Sequence, residues 1–303
     1  AMTSQLFSPT SVIVELIQFV QTSQLTTVSQ YMSSLHAKMQ LMRSQSHLSC
    51  HGILDQFSAY LQRTQLLYID QDKTVGEFKS HLLVGLGRFR DRLVNSSQKI
   101  TEYLEPHIKN GFKIMTFGFS HTVNFILKHF QAKMIEFRVI LVQSVLQNRD
   151  IGYQFQHCLN ELASQDLIII SEGAVLQKMQ EVDMILVGAE MMSCNCGLVN
   201  SLGTAQIAEI AHLYNKKLVV ACQFFKFVEK TMFSNKDIEE LDNVQVQFVK
   251  EIQSGKVLQK YYDFTKPERI GLVVTELGAL TVVQTSDLAK MAMAKQGPKV
   301  GEE

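Results

Sequence analysis

The sequence has no excess of charge of either sign, because 29 Lys and Arg side chains balance 29 Asp and Glu side chains in 303 residues. No global positive field therefore exists to attract nucleic acid or an anionic membrane, and no direct nucleic-acid partner is expected. Long apolar runs are also missing, since none approaches the ~20 residues that a membrane-spanning helix needs. With only four prolines and 46% hydrophobic residues, the chain predicts a folded globular protein, with two domains more favoured than one.

Cysteine is scarce as well. The five cysteines are widely spaced, at Cys50, Cys158, Cys194, Cys196 and Cys222. An odd, dispersed set is typical of reduced thiols and predicts a cytoplasmic protein. Cys194 and Cys196 suggest zinc at first sight, but no second pair or nearby histidine completes the usual four ligands, so no metal is expected. A catalytic thiolate needs a cation or a helix N-terminus beside it, and ordinary buried thiols are the favoured interpretation.

The first 110 residues have apolar side chains at helical spacing, as in the stretch 11–20. Further helices are predicted over residues 28–42, 48–61 and 74–104, and the last is expected to break near Asn95 and Ser96. The spacing Gly85-Leu-Gly87 lies inside this last helical pattern with no strand before it. It therefore predicts a close helix-packing contact and not a phosphate-binding loop.

From Gly111 onward, short β-rich apolar runs alternate with amphipathic segments. The runs lie at residues 114–117, 137–142, 167–170, 184–188, 218–222 and 270–275. Such alternation predicts βαβ units and a mostly parallel sheet with helices on both faces. The sequence therefore predicts an α/β protein, with an all-helical domain at residues 1–110 and a Rossmann-like domain at residues 111–303.

Polar loops follow several of these predicted strands. Ligands of open parallel sheets bind beyond the carboxyl ends of the strands, where the loops at 116–120, 187–197 and 223–227 are expected to converge. The first loop has a single glycine instead of the G-x-G-x-x-G fingerprint, so no nucleotide cofactor is expected. Backbone amides after Ser120 and Gly203 are candidates for holding an anion, with Thr204 and Lys226 beside them. The alternative, that Ser120 and Thr204 are simply helix caps, stays equally open.

Motifs of the second half follow one another in a specific order. They are Gly188-Ala-Glu190, Asn195-Cys-Gly-Leu-Val-Asn200, Gly203-Thr-Ala-Gln206, Asn215-Lys216, Phe225-Lys-Phe227, Tyr262-Asp263 and Thr275-Glu-Leu-Gly278. This order resembles the signature of the regulatory subunits of translation initiation factor 2B, over about residues 111 to 288. The same superfamily includes methylthioribose-1-phosphate isomerase and ribose-1,5-bisphosphate isomerase. The helical half is similar in layout to the alpha subunit, whereas GTAQ and TELG are more similar to delta.

The resemblance also bears on chemistry. Isomerases of this superfamily carry a catalytic cysteine after the first strand and an aspartate in a GAD motif, and Gly118 and Glu190 stand at these positions. Glycine has no titratable atom, so the acid–base pair is broken and no catalytic residue is expected. The phosphate motif E-S-R-P reads Gln143-Ser-Val-Leu146, without its arginine. A vestigial sugar-phosphate pocket is therefore implied, with candidates Gly118, Ser120, Glu190, Asn195, Asn200, Gly203, Thr204 and Lys226.

The function implied by the resemblance is regulatory. It is that of a non-catalytic subunit of the exchange factor that reloads initiation factor 2 with GTP. The expected partners are the beta, gamma, delta and epsilon subunits and initiation factor 2 phosphorylated on its alpha subunit, which the helical domain would help to detect. A homodimer through the Rossmann-like domain is expected, without cofactors. Two alternatives stay open: an aldose–ketose isomerase of phosphorylated sugars that uses Glu190, and a metabolite-binding homodimer outside translation.

Overall fold

The N-terminal part of the chain is helical in the computed structural model, which describes residues 8–69, 74–143, 167–241, 247–252 and 255–293. Its helices are α1 (Pro9–Thr22), α2 (Val28–Ser44), α3 (His51–Ile69) and α4 (Val75–Leu104). The hydroxyl groups of Ser8, Thr27 and Thr74 cap α1, α2 and α4 by accepting a hydrogen bond from an amide of the first turn. Within the described ranges, no helix has both the length and the apolar character needed to cross a membrane.

Helix α4 runs without interruption through Asn95 and Ser96, so the predicted break there is wrong. Asn95 Nδ2 donates to the carbonyl oxygen of Asp91 at 2.8 Å, and Ser96 Oγ donates to a carbonyl oxygen one turn earlier at 2.7 Å. Both polar side chains bond inside the helix and do not end it. The predicted packing contact is confirmed for Gly85 but not for Gly87. A Cβ at Gly85 would lie 2.2 Å from the hydroxyl oxygen of Tyr60, whereas a Cβ at Gly87 would meet no atom within 4 Å.

The C-terminal part alternates strands and helices. Its elements are β1 (Phe112–Phe117), α5 (His121–Ala132), β2 (Phe137–Gln143), β3 (Leu167–Ser171), α6 (Val175–Lys178), β4 (Met184–Val187), β5 (Met191–Ser193), β6 (Leu198–Ser201), α7 (Thr204–Leu213), β7 (Lys217–Ala221), β8 (Phe227–Val228), α8 (Asn235–Glu239), β9 (Gln247–Ile252), β10 (Gly255–Lys260), β11 (Tyr262–Thr265), β12 (Leu272–Thr275), β13 (Gly278–Leu280) and α9 (Val282–Met293). Each apolar run predicted as a strand forms one.

The main sheet has seven strands in the order β13-β12-β7-β4-β1-β2-β3. Six of them are parallel, and only the edge strand β13 runs antiparallel to its neighbour β12. This is the doubly wound order of Rossmann-like sheets, in which the strand sequence reverses direction between β1 and β4 and leaves a crevice at their carboxyl ends. The predicted fold class is confirmed.

Successive residues of the strands pack on opposite faces of the sheet. Ile114 belongs to a buried cluster with α5 and the end of α4, whereas its neighbour Met115 belongs to a cluster with α6, α7 and α9. Helices therefore cover both faces, as the sequence predicts. The boundary predicted at residue 110 falls just before β1 and stays a prediction.

A smaller sheet lies beside the main one, and the sequence did not predict it. It has the order β11-β6-β5-β8, with β11 antiparallel to β6 and β8 parallel to β5. Strands β9 and β10 form a separate antiparallel pair. The pairing of β6 with β11 sets Asn200 opposite Asp263, and both are buried. The small sheet thus brings polar groups to the edge where the parallel strands end.

The segment 224–227, called the bridge segment below, connects the two parts of the molecule. Phe224 and Phe227 belong to the core of the sheet, whereas Phe225 between them belongs to the core of the helical part. Gln56 Nε2 on α3 donates to the carbonyl oxygens of Phe224 and Phe227, at 2.8 and 3.3 Å. The backbone of Gly52 also lies against this segment. The helical part is therefore held directly against a loop at the carboxyl edge of the sheet.

Candidate functional site at the carboxyl ends of the strands

Loops that follow β1, β4 and β7 meet at the carboxyl edge, as predicted. A Cβ at Gly188, after β4, would lie 2.2 Å from Ser120 Oγ, after β1. Lys226 Nζ, after β7, donates to the carbonyl oxygen of Ala189 at 2.5 Å. Gly118 has a φ of +61°, in the left-handed region that glycine adopts without strain. The structure therefore brings together the loops of Gly118, Ser120, Glu190 and Lys226.

The amino end of α7 is occupied by a side chain of the protein itself. Gly203 has a φ of +111° and stands at the N-cap position of α7. The backbone amides of Gly203 and Ala205 both donate to Asp263 Oδ2, at 2.7 and 2.9 Å. A carboxylate at this position is stabilised by the partial positive charge of the helix end. Two of the amides expected to hold an anion are thus engaged with an internal one.

The polar side chains around this helix end also bond to one another. Thr204 Oγ1 donates to the carbonyl oxygen of Ser201 at 2.7 Å and accepts from Asn200 Nδ2 at 3.2 Å. Thr204 is the first residue of α7 and not its cap, so the capping alternative is wrong for Thr204. Ser120 does cap α5, since Ser120 Oγ accepts from the amide of Val123 at 3.4 Å.

Burial raises the pKa values of several groups at this edge of the sheet, and Glu190 contributes to two of these shifts. Burial, with a smaller contribution from Glu190, raises the pKa of the Tyr262 phenol to about 12. Burial likewise raises the pKa of Cys222 to about 12, although Lys226 acts in the opposite direction. The pKa of Cys196 is also raised to about 12, again mainly by burial. These two thiols carry no reactive thiolate near neutral pH, which supports the structural interpretation of both cysteines.

Asn195 and the Cys194–Gly197 turn have a structural role. Asn195 Nδ2 donates to the carbonyl oxygen of Met232 at 2.8 Å, and Asn195 Oδ1 accepts from the amide of Met232 at 3.1 Å. Ser193 Oγ also donates to Asn195 Oδ1, at 2.6 Å. The Asn195 side chain thus holds the β5–β6 turn against the loop before α8, and these hydrogen bonds do not involve the converging loops. Cys158 and the altered phosphate motif at 144–146 lie outside the described residues.

Two buried carboxylates at this edge were not among the candidates. Asp263 and Glu276 each use one oxygen to accept from backbone amides, and Glu276 Oε2 accepts from the amide of Phe224 at 2.8 Å. Their other oxygens, Asp263 Oδ1 and Glu276 Oε1, are buried with no hydrogen-bond partner. Burial raises the pKa of both groups. The sequence did point to both residues, because Asp263 and Glu276 lie in two of the motifs that carried the family resemblance.

Comparison with known proteins connects this arrangement to a family. The model of the initiation factor 2 subunit family matches residues 8–282, which is most of the chain. The chain belongs to the initiation factor 2 subunit family. This confirms the resemblance inferred from the ordered motifs.

Two relatives in this family are from Dictyostelium discoideum. A translation initiation factor eIF2B subunit alpha is 30% identical over 288 residues, which cover 90% of this chain and 87% of the relative. An eIF2B subunit delta is 28% identical over 217 residues, which cover 67% of this chain and 35% of the relative. The chain thus spans only about a third of the delta relative. The alpha relative is matched along nearly its whole length, as the layout of the helical half predicts.

Solved structures of the initiation factor 2 subunit family share the fold. An eIF2B beta from Chaetomium thermophilum has a TM-score of 0.73 at 15% identity, with 96% of this chain and 88% of that chain covered. A chain of the tetrameric eIF2B-beta2-delta2 complex from C. thermophilum has a TM-score of 0.72 at 17% identity, with 94% and 88% covered. At these identities the similarity establishes the fold alone.

The Asp263 carboxylate makes the stability of the protein depend on pH. Burial raises its pKa from 3.8 to about 6, and the hydrogen bonds from Ala205 and Gly203 only partly oppose this. The folded state therefore binds this proton more tightly than the unfolded state. Its contribution to stability is most favourable below about pH 4 and falls as pH rises towards 6, by at most about 3 kcal/mol. Asp263→Asn should remove this dependence.

Urea unfolding of wild type, Asp263→Asn and Asp237→Asn at pH 3, 4, 5, 6 and 7 gives the free energy of unfolding of each protein. The difference between wild type and each variant isolates the effect of the substituted group, because the other titrating groups cancel. The advantage of wild type should shrink as pH rises. Asp237→Asn is the matched control of opposite sign, because hydrogen bonds from the Phe233 and Ser234 amides lower the pKa of Asp237. The wild-type advantage over that variant should instead shrink as pH falls below 4. A pH-independent difference between wild type and Asp263→Asn contradicts the prediction.

Proposed function

We propose that this protein is a non-catalytic regulatory subunit of the guanine-nucleotide exchange factor for initiation factor 2, acting in the cytoplasm. The observation that carries the proposal is the match to an eIF2B subunit alpha along 90% of this chain. The proposed role is to sense initiation factor 2 phosphorylated on its alpha subunit. The beta, gamma, delta and epsilon subunits are the proposed partners, together with a second copy of this chain.

The geometry of the candidate site supports a role without catalysis. Gly118 has no side chain, so the position after β1 at which the isomerases carry a cysteine offers no acid or base. The polar groups at the amino end of α7 are engaged with Asp263, Asn200 and Ser201. An isomerase needs such groups to be available for proton transfer and for a phosphate. The pocket residues Gly118, Ser120, Glu190, Asn200, Gly203, Thr204 and Lys226 are proposed as a vestige of a sugar-phosphate site.

The proposed partners can be tested by purification of the tagged chain from its native cell and identification of the bound proteins. Beta and delta subunits should co-purify, with gamma and epsilon in smaller or equal amounts. The reconstituted complex should then retain more phosphorylated than unphosphorylated initiation factor 2. Light scattering of the isolated chain should give about twice its 34.3 kDa.

Two results contradict this proposal. The first is a homodimer that captures no eIF2B subunit, which favours a metabolite-binding protein outside translation. The second is turnover of methylthioribose-1-phosphate or ribose-1,5-bisphosphate that Glu190→Gln abolishes, which favours the isomerase. Glu190→Asp is the matched variant for that assay, because it retains a carboxylate and should retain part of any true acid–base activity.

A further inference from the structure

A cavity apart from the strand-end site lies between α3, α4 and the last turn of α9. It has a volume of about 290 Å³ and shares no lining residue with the strand-end site. This volume is just below the range of about 300 to 1,000 Å³ that is usual for small-ligand pockets, so only a small molecule fits. Three arginines line it, Arg63, Arg88 and Arg92, and among the described residues no carboxylate does. The lining is therefore cationic in a protein with no net charge, although Arg92 also interacts electrostatically with the buried Glu276 outside the lining.

The arrangement of the arginines concentrates positive charge. Arg88 and Arg92 lie one turn apart on the same face of α4, a spacing at which like charges repel. Arg90, between them in the sequence, pairs instead with Asp91. From α3, Arg63 Nη2 donates to the carbonyl oxygen of Ala292 at 3.1 Å, which fixes this guanidinium at the wall of the cavity. An anion bound among the three would relieve their mutual repulsion.

The rest of the lining is aromatic. Tyr60 and Phe89 pack edge to face, with ring centroids 6.0 Å apart and an interplanar angle of 78°. The Tyr60 hydroxyl donates to the carbonyl oxygen of His81 at 3.0 Å, so its polar end is already engaged. The two rings thus offer an apolar surface next to the guanidinium groups. Guanidinium forks match the geometry of phosphate oxygens, and aromatic rings pack well against a planar or apolar group.

We infer that this cavity binds a small phosphorylated molecule. Its phosphoryl oxygens accept hydrogen bonds from Arg63, Arg88 and Arg92, and its organic part packs on Tyr60 and Phe89. The site is separate from the strand-end pocket and does not rest on the function proposed above.

Calorimetric titration with three probes tests the inference. Phenyl phosphate carries both the phosphate and the aromatic ring, inorganic phosphate carries only the anion, and phenol carries only the ring. Phenyl phosphate should bind most tightly and phenol least. Loss of one charge-assisted hydrogen bond weakens binding by about tenfold or more, so Arg88→Gln and Arg92→Gln should each lower the affinity for phenyl phosphate by about that factor. Arg63→Lys keeps the charge but loses the fork, and a smaller loss is expected.

The matched control is Arg90→Gln, which removes the same charge from the same helix outside the cavity. It should leave the affinity for phenyl phosphate unchanged. An equal loss in Arg90→Gln and Arg88→Gln indicates unspecific attraction and overturns the inference, as does the absence of binding to wild type at millimolar phenyl phosphate. Arg88, Arg90 and Arg92 are exposed, so the melting temperatures without ligand should agree and exclude misfolding.

Discussion

Gly52→Ala should destabilise the protein by about 3 kcal/mol, a large effect for the addition of one methyl group. A Cβ at residue 52 would lie 2.4 Å from the carbonyl oxygen of Phe225 and 2.5 Å from that of Phe227. These are backbone atoms of the bridge segment, which Gln56 and Glu276 also hold by hydrogen bonds. The backbone of α3 and the backbone of the bridge segment cannot move away from the added methyl group as a flexible side chain could. The urea unfolding midpoint should therefore fall clearly.

Gly87→Ala is the matched control for this substitution, because it makes the same change inside a helix where a Cβ meets no atom within 4 Å. Alanine is the better helix former, so this variant should gain about 0.5 to 1 kcal/mol. The two glycine substitutions are thus expected to have opposite signs. Equal midpoints for wild type and Gly52→Ala would show that α3 does not press on the bridge segment as described.

Phe225→Ala should cost about 3 to 5 kcal/mol, the range for removal of a buried phenyl ring. Phe225 is only 7% exposed and packs in the core of the helical part, although it belongs to a loop of the sheet. The substitution therefore leaves a cavity in the helical core while the neighbours Phe224 and Phe227 stay in place. Thermal unfolding followed by calorimetry measures the loss.

Phe233→Ala controls for the loss of a phenyl ring as such, since Phe233 is 71% exposed. It should change stability by no more than about 0.5 kcal/mol. A small effect of Phe225→Ala, comparable with that of the control, would contradict the assignment of Phe225 to the helical core.

The alternation of β-rich runs and amphipathic segments was enough to predict the doubly wound sheet, because parallel strands require helical crossovers of one hand. The helices of the first part were predictable from apolar spacing for the same local reason. The break expected at Asn95 and Ser96 was wrong because propensity does not show that both side chains bond back within α4. The small sheet was missed because β5, β6 and β8 are short, and because only the β5–β6 pair is local. The other pairs, of β6 with β11 and of β5 with β8, join strands that lie far apart in sequence.

The candidate site was only partly predictable. The convergence of the loops with Ser120, Glu190 and Lys226 follows from strand order, which a parallel sheet imposes. The role of Asp263 depends on a contact across about 60 residues, between the amides of α7 and strand β11, and no local pattern announces it. Asn195 was predicted as a pocket residue for the same reason, because its hydrogen-bond partner Met232 is 37 residues away in sequence. The raised pKa values follow from burial, which is a property of the folded chain.

The Asp263 carboxylate at the amino end of α7 is in effect a built-in competitive inhibitor of anion binding. Asp263 is part of the chain, so dilution does not remove it from the helix end. An anion from solution can accept hydrogen bonds from the amides of Gly203 and Ala205 only when Asp263 releases them. The apparent dissociation constant of such an anion equals its intrinsic value divided by the fraction of molecules with the helix end open. Because burial raises the Asp263 pKa to about 6, acidification below this pH neutralises the inhibitor and weakens its hydrogen bonds with the two amides.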